Sequence, residues 1–310
     1  MSRDLHTEIT NKIIAQMEQG TAPWHKPWQE GEHTASYELP VNIDSGKRYK
    51  GINIALLWLG EFPTNEFGTF KQWSDRKETI RKGSKGTTVV YYDFIEKQKE
   101  GKEEIDKIPF LKTYTVFNRS QLQSYKETEP QPRPVLNYER IHHIDQFVAK
   151  TGAVVYYQGD RAFYSHRTDE ITMPERRLFT GTPTQTVTES IYAVLAHELT
   201  HWTGPKHRLN RDMGKKYGDK NYALEEVVAE MGSAFLCADW GIADAPRPDH
   251  AQYISHWLKA FSDNTKLVIP MASQASKAFE YLHSLQEITK PANDNCTPCQ
   301  IEKVQFKMVG

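Results

Sequence analysis

The chain has 310 residues, more than one hydrophobic core usually organises, so two domains are expected. It is 38% hydrophobic and 25% charged, with a mean hydropathy of −0.68 and a net charge of −1, which excludes a membrane protein and a general polycation. Three cysteines, no apolar leader and no stretch long enough to span a membrane point to a reducing, cytoplasmic setting.

Leu5, Ile9, Ile13 and Met17 recur every fourth residue before Gly20, so residues 4–19 read as an amphipathic helix. Pro23-Trp24-His25-Lys26-Pro27-Trp28 follows as a proline-bounded loop holding two tryptophans. A turn at Asp44-Ser45-Gly46 leads through the basic-aromatic run Lys47-Arg48-Tyr49-Lys50 into an apolar helix from about Asn53. Phe70 to Trp73 opens another helix. Arg81-Lys82-Gly83-Ser84-Lys85-Gly86 is a basic glycine loop that lacks phosphate-loop spacing. A strand from Thr87 to Phe94, a charged tip over Lys97–Lys107 and a return strand from Lys112 to Asn118 come next.

Charge along residues 47–85 is uneven, with nine basic residues against four acidic ones. Aromatic side chains are interleaved with that charge. Single-stranded nucleic acid is held this way, because each nucleotide offers a phosphate and each base a π-face. Trp24, Trp28, Lys47, Arg48, Tyr49, Lys50, Trp73, Arg81, Lys82 and Lys85 are therefore the candidate DNA-binding residues. The competing reading makes the tryptophans core and the lysines a solvated face.

Pro130, Pro132 and Pro134 mark an extended linker over 126–137, dividing a domain over 1–125 from one over 138–288. A helix is expected from Asn137 to Lys150, then a hairpin pairing Val154–Tyr157 with Arg161–Tyr164 around Gly159-Asp160. A short strand over 169–173 is the candidate edge for pairing with an extended peptide.

The apolar run Ile191–Ala196 continues into His197-Glu198-Leu199-Thr200-His201, with Gly204-Pro205 as the stop. Residues four apart share a helix face, so both imidazoles can meet one ion with Glu198 beside them. This is the H-E-x-x-H arrangement of zinc hydrolases, and neutral imidazoles plus a carboxylate suit Zn2+. Glu198 is the candidate general base. A third ligand is needed. Glu226 is preferred, from the apolar-striped helix Tyr222–Met231, where Glu230 shares its face and Glu225 is a stand-in. His207 is the alternative, because His197 to His207 also fits the metzincin spacing, with Met213 or Met271 as its methionine turn. Tyr217 and Tyr222 are candidates for hydrogen-bonding an oxyanion. Two further helices, around Tyr253–Phe261 and Ala272–Leu285, read as core. Residues 289–310 form a flexible tail, whose lone Cys296-Thr297-Pro298-Cys299 is a weak metal signal.

With these segments together, the chain resembles the ArdC family of plasmid antirestriction proteins over about residues 5–285. The resemblance rests on Pro23–Trp28, Ser45–Asn53, Arg81–Thr87, Tyr114–Asn118, His197–Gly204, Arg208–Arg211 and Tyr222–Glu230. It implies an α+β protein with an N-terminal mixed α/β single-stranded-DNA-binding domain. It also implies a C-terminal zincin-like metallopeptidase domain similar to SprT proteases, and protection of incoming plasmid DNA from host restriction. The partners it suggests are single-stranded DNA and, as protein substrates, host restriction enzyme subunits. The alternative is a DNA-masking protein whose metal site is structural.

Overall fold

The computed structural model describes residues 4–19, 22, 24, 38–98, 105–126, 138–181, 185–214, 220–242 and 250–287. Trp28, Tyr217, most of the proline-rich linker, the hairpin tip at 99–104 and the tail with Cys296 and Cys299 lie outside them. The fold is α+β. Its N-terminal part contains α1 (Leu5–Met17), β1 (Val41–Asn42), α2 (Ile52–Trp58), β2 (Glu66–Thr69), α3 (Phe70–Asp75), β3 (Thr87–Gln98) and β4 (Ile105–Asn118). The C-terminal part contains α4 (Tyr138–Thr151), β5 (Val154–Tyr157), β6 (Phe163–Ser165), β7 (Glu170–Met173), α5 (Val187–Trp202), α6 (Lys220–Trp240), α7 (His250–Asp263) and α8 (Val268–Glu287). Among the described residues, no helix is long and apolar enough to cross a membrane.

Local chemistry sets the element ends. The Asp4 side chain accepts from the Thr7 N–H and starts α1. Thr69 with Gln72, and Thr186 with Glu189, form capping boxes that start α3 and α5. The capping carboxylate of Glu189 explains why that charged residue is buried.

The first sheet has the order β1-β2-β4-β3, with β1 and β2 parallel and the other pairs antiparallel. Both long strands run past the expected Thr87–Phe94 and Lys112–Asn118 to form a ribbon registered from Thr87 opposite Val116 to Gln98 opposite Ile105. Leu57, Phe67, Val89 and Val116 fill a small core against the near end of this sheet.

The second sheet corrects two expectations. Its order is β5-β7-β6, with β7 parallel to β5 and antiparallel to β6. Val154–Tyr157 and Phe163–Ser165 therefore do not pair as a hairpin. Residues 170–173 are the central strand, with both backbone edges occupied, so they cannot take a peptide strand. Ile171 and Met173 carry the inward face of that strand and are fully buried, which draws β7 to the middle.

One apolar cluster spans both parts. Ile9, Ile13 and Met17 of α1, and Ile54, Leu56 and Trp58 of α2, join Leu199, Phe235, Trp257, Phe261 and Leu282. Trp24 packs on Trp257 with ring centroids 6.1 Å apart, and Trp58 on Phe235 at 6.0 Å. Thr10 Oγ1 donates to the Thr265 carbonyl at 2.6 Å.

Candidate metal centre

The helices α5 and α6 lie side by side, and small groups set their spacing. A Cβ added to Gly232 of α6 would come within 2.5 Å of the Thr200 side chain on α5. The Ser233 hydroxyl donates to the Ala193 carbonyl at 3.0 Å. This close approach carries the carboxylates of α6 to the imidazoles of α5.

His197 Nε2 and His201 Nε2 stand 3.1 Å apart, and the two Glu226 oxygens lie 3.4 Å from His197 Nε2 and 3.5 Å from His201 Nε2. Ligands about 2.1 Å from a tetrahedral ion stand about 3.4 Å apart, and here each imidazole faces one oxygen of the same carboxylate near that distance, with one ligand atom from each of the three residues within 4.8 Å of the others. The outer nitrogens also face carboxylates. Glu225 Oε1 is 3.1 Å from His201 Nδ1, and Glu230 Oε1 is 3.5 Å from His197 Nδ1. A neutral imidazole with its proton on Nδ1 would aim its Nε2 lone pair inward beside the Glu226 carboxylate. Three electron-rich atoms facing one another in a buried site fit a cation, and His197, His201 and Glu226 are the residues that could hold it.

The same carboxylates also favour a proton on the histidines, which a bound cation would displace. Burial disfavours charge on His201, yet the Glu226 and Glu225 carboxylates outweigh it and lift its pKa to about 10. Burial likewise opposes charge on Glu226, but the two histidines hold its carboxyl far below the usual carboxylate range. Glu225 is buried too, and is kept ionised by His201 and by Arg211. The Arg211 guanidinium takes Glu225 with two bonds of 2.9 and 2.7 Å, and reaches the Thr200 carbonyl and the Thr203 hydroxyl, each at 2.7 Å.

Glu198 is buried on α5 beside His197. Tyr222 is half-buried, one turn ahead of Glu226. The structure separates His207 from the cluster: its side chain is 61% exposed and pairs with Asp169 at 3.4 Å. Glu225 serves an outer nitrogen instead of standing in for Glu226. Met213 is buried against Gly204 at the end of α5, where a Cβ would meet its sulfur at 2.1 Å.

Sequence reasoning missed Arg211, Arg208, Asp169 and His166. Arg208 stacks 3.6 Å over the Trp202 ring, donates to the Trp202 carbonyl, and grips Asp169 with bonds of 2.9 and 2.6 Å. The loop after α5 is thereby tied to the β6–β7 turn. Burial and the His201 charge hold the His166 pKa down, and its ring packs edge-on against Tyr164 with centroids 5.0 Å apart. Arg208 and Arg211 left a trace in the Arg-Leu-Asn-Arg run, whereas His166 left none.

The candidate DNA-binding residues fall into three groups. Trp24 and Trp73 are buried, and the Trp73 indole N–H donates to the Phe117 carbonyl at 3.0 Å, so neither ring face is open to a base. They are core because each closes an apolar contact that sequence alone cannot place. Tyr49 is half-buried against Phe67, Arg48 pairs with Asp239 at 2.6 Å, and Lys50 pairs with Glu280. Lys47, Arg81, Lys82 and Lys85 remain exposed, with Arg81 also hydrogen-bonded to the Ser120 carbonyl.

Comparison with known proteins bears on both parts. Residues 3–117 match the N-terminal domain of anti-restriction factor ArdC, and residues 142–274 match a zincin-like metallopeptidase family. A protein of Sinorhizobium fredii, known only as uncharacterized protein y4eC, is 34% identical over 295 residues, covering 91% of this chain and 92% of its own length. A DNA primase TraC of Escherichia coli is 35% identical over 302 residues, but the chain spans only 20% of that protein. Among solved structures, antirestriction protein ArdC from plasmid R388 superimposes with a TM-score of 0.73 in its metal-free form. That match has 33% identity and covers 93% of this chain and all of the other. The Mn(II)-bound form of the same protein gives 0.71.

Proposed function

The chain belongs to the ArdC family of antirestriction proteins, and we propose that it is a metal-dependent peptidase tethered to single-stranded DNA. Convergence of the His197 and His201 imidazoles on the Glu226 carboxylate, with a ligand atom of each within 4.8 Å of the others, carries the peptidase half of this reading. The donor set suits zinc, with two imidazoles, one carboxylate and a fourth position for water. The Mn(II)-bound relative has the same fold, so the resident metal is a question for elemental analysis. When bound, zinc supplies polarisation of a water, moving its pKa toward about 7. Glu198 is the general base: its carboxylate accepts the proton of the attacking water and returns it to the leaving amine. Glu225 holds the His201 ring in the tautomer that points Nε2 inward and is itself held by Arg211, while Glu230 lies 3.5 Å from His197 Nδ1.

The N-terminal part supports strand binding through its exposed cations Lys47, Arg81, Lys82 and Lys85. A protein on the incoming strand would bring the peptidase to whatever else binds there, and host restriction enzyme subunits are the proposed protein substrates. Deep burial of the cluster favours a second reading, in which the metal site is structural and the protein only masks DNA. Metal content of the purified chain, and survival of unmodified plasmid DNA entering a restricting host with wild type or Glu198→Ala, test the two. The peptidase reading expects stoichiometric metal in both proteins and loss of protection in the variant. Full protection by Glu198→Ala favours the masking reading, and a chain that takes up no metal removes both metal accounts.

A further inference from the structure

The β3–β4 ribbon outruns the rest of its sheet. β2 pairs with β4 only from Val116 to Asn118, whereas β3 and β4 stay in register out to Gln98 opposite Ile105. Among the described residues no third strand flanks the ribbon beyond that base, and β3 is the last strand in the sheet order. Two-stranded ribbons are marginal in water by themselves, and an unpaired edge is a template for further pairing.

The two edges of the ribbon differ. Asn53 of α2 takes the place of a strand residue beside Val90: its amide donates to the Val90 carbonyl at 2.7 Å, and its side-chain oxygen accepts from the Val90 N–H at 2.8 Å. Those two backbone groups therefore point away from β4. Backbone groups alternate sides along a strand, so the N–H and C=O of Tyr92, Phe94, Glu96 and Gln98 point to the same outer edge. On β4, Pro109 stands opposite Phe94, and the same alternation turns its nitrogen outward. The outer edge of β4 thus lacks a donor midway, which protects it from pairing. The β3 edge from Tyr92 to Gln98 has no such gap.

Charge selects what this edge can pair with. The strand reads Tyr92-Asp93-Phe94-Ile95-Glu96-Lys97-Gln98. Laid antiparallel against itself and centred on Ile95, it sets Asp93 opposite Lys97 of the partner, and Lys97 opposite Asp93 of the partner. Centring on Asp93, Glu96 or Lys97 instead sets like charges face to face, which is destabilising. In the Ile95 alignment Phe94 falls opposite Glu96 of the partner. Both have outward backbone groups, so they exchange ladder hydrogen bonds. Lys97 keeps its position opposite Asp106 in its own ribbon. The row across the joined sheets then alternates in sign, from Asp106 to Lys97 to Asp93 of the partner.

We propose that the outer edge of β3 from Tyr92 to Gln98 is a self-association surface. A second copy of the chain pairs there antiparallel about Ile95 and joins the two N-terminal sheets into one. This pairing depends on neither the peptidase nor the strand-binding reading.

Sedimentation of the full chain over a wide concentration series is expected to show a monomer–dimer equilibrium. Phe94→Pro removes an outward N–H without touching the β3–β4 ladder, and should leave a folded monomer. Asp93→Lys and Lys97→Glu should each weaken dimerisation about 10- to 100-fold, and an equimolar mixture of the two should recover it, because opposite charges again face each other. In a chain carrying Cys296→Ser and Cys299→Ser, Ile95→Cys is expected to give a disulfide-linked dimer on mild oxidation, since residue 95 faces its own copy. Phe94→Cys in the same background should not. A monomer at every concentration overturns the proposal. So does a dimer that survives Phe94→Pro, or a pair of charge variants that fail to complement while Ile95→Cys fails to cross-link. Protection of the Tyr92–Gln98 amides from hydrogen exchange only on adding another protein gives the edge to a foreign strand, and overturns it as well.

Discussion

Arg211 is not a candidate ligand for the metal, yet it has the most to lose by substitution. Its guanidinium and the Glu225 carboxylate are each 3% exposed, so removing the cation leaves a buried, uncompensated carboxylate next to His201. Arg211→Ala is expected to destabilise the fold by about 3–5 kcal/mol, measured by chemical denaturation. It should also weaken metal binding about 10- to 100-fold, measured by chelator competition, because Glu225 no longer fixes the His201 tautomer. His207→Ala should leave metal affinity unchanged, since that ring is exposed and paired with Asp169. A fall in affinity on changing His207 would return the metzincin spacing to consideration. The H-E-x-x-H pair was legible in the sequence because i and i+4 on a helix must share a face. The choice among Glu225, Glu226 and His207 was not, because helix periodicity says which residues are neighbours but not what the face meets.

Between α5 and α6, the approach is decided by a hydrogen atom. Gly232 lets α6 lie against Thr200 of α5, whose hydroxyl is already bonded to the Ala196 carbonyl and has little room to turn. Gly232→Ala is expected to cost about 1–3 kcal/mol by overpacking, seen as a lower denaturation midpoint. It should also loosen the metal site by separating Glu226 from the histidines. Adding Thr200→Ala removes the obstructing atoms, so the double variant should recover much of the loss. A Gly232→Ala protein as stable and metal-competent as wild type would show that α5 and α6 are not held at this spacing. The strands teach the same lesson. Alternation found β5, β6 and β7, but nothing in it shows that β7 slides between the other two, because pairing partners are chosen by the buried face of the whole sheet.

Across the whole molecule, the sequence boundary at 126–137 and the packing differ in kind. The family matches begin and end on either side of that stretch, but α1 and α2 add apolar side chains to the core formed by α5, α7 and α8. A fragment of residues 1–125 would expose Ile9, Ile13, Met17, Trp24 and Trp58. It is expected to aggregate or stay unfolded, while the full chain melts in one transition, as calorimetry can show. A monomeric, folded 1–125 fragment would contradict that shared core. Ion pairs also cross between the parts. Burial raises the Asp239 carboxyl pKa, but His283 and Arg48 outweigh it and hold the group below its usual range. A carboxyl depressed in the folded state stabilises above its unfolded pKa, near 3.8, and loses that contribution as pH falls through the folded value. Wild type should therefore be more stable than Asp239→Asn at neutral pH, with the gap closing in acid below about pH 4 when denaturation is followed against pH.

By itself, the sequence determined the helices, the two ribbon strands, the basic character of 47–85 and the two imidazoles of the metal helix, since these depend on spacing within one segment, whereas β1 and β2 are too short to show a pattern. Only tertiary structure decided that Glu226 completes the cluster, that Glu225, Glu230 and Arg211 stand behind it, and that Trp24 and Trp73 are core. Each of those outcomes is a contact between residues far apart in the chain, set by how apolar faces pack. Local periodicity carries no information about that partner.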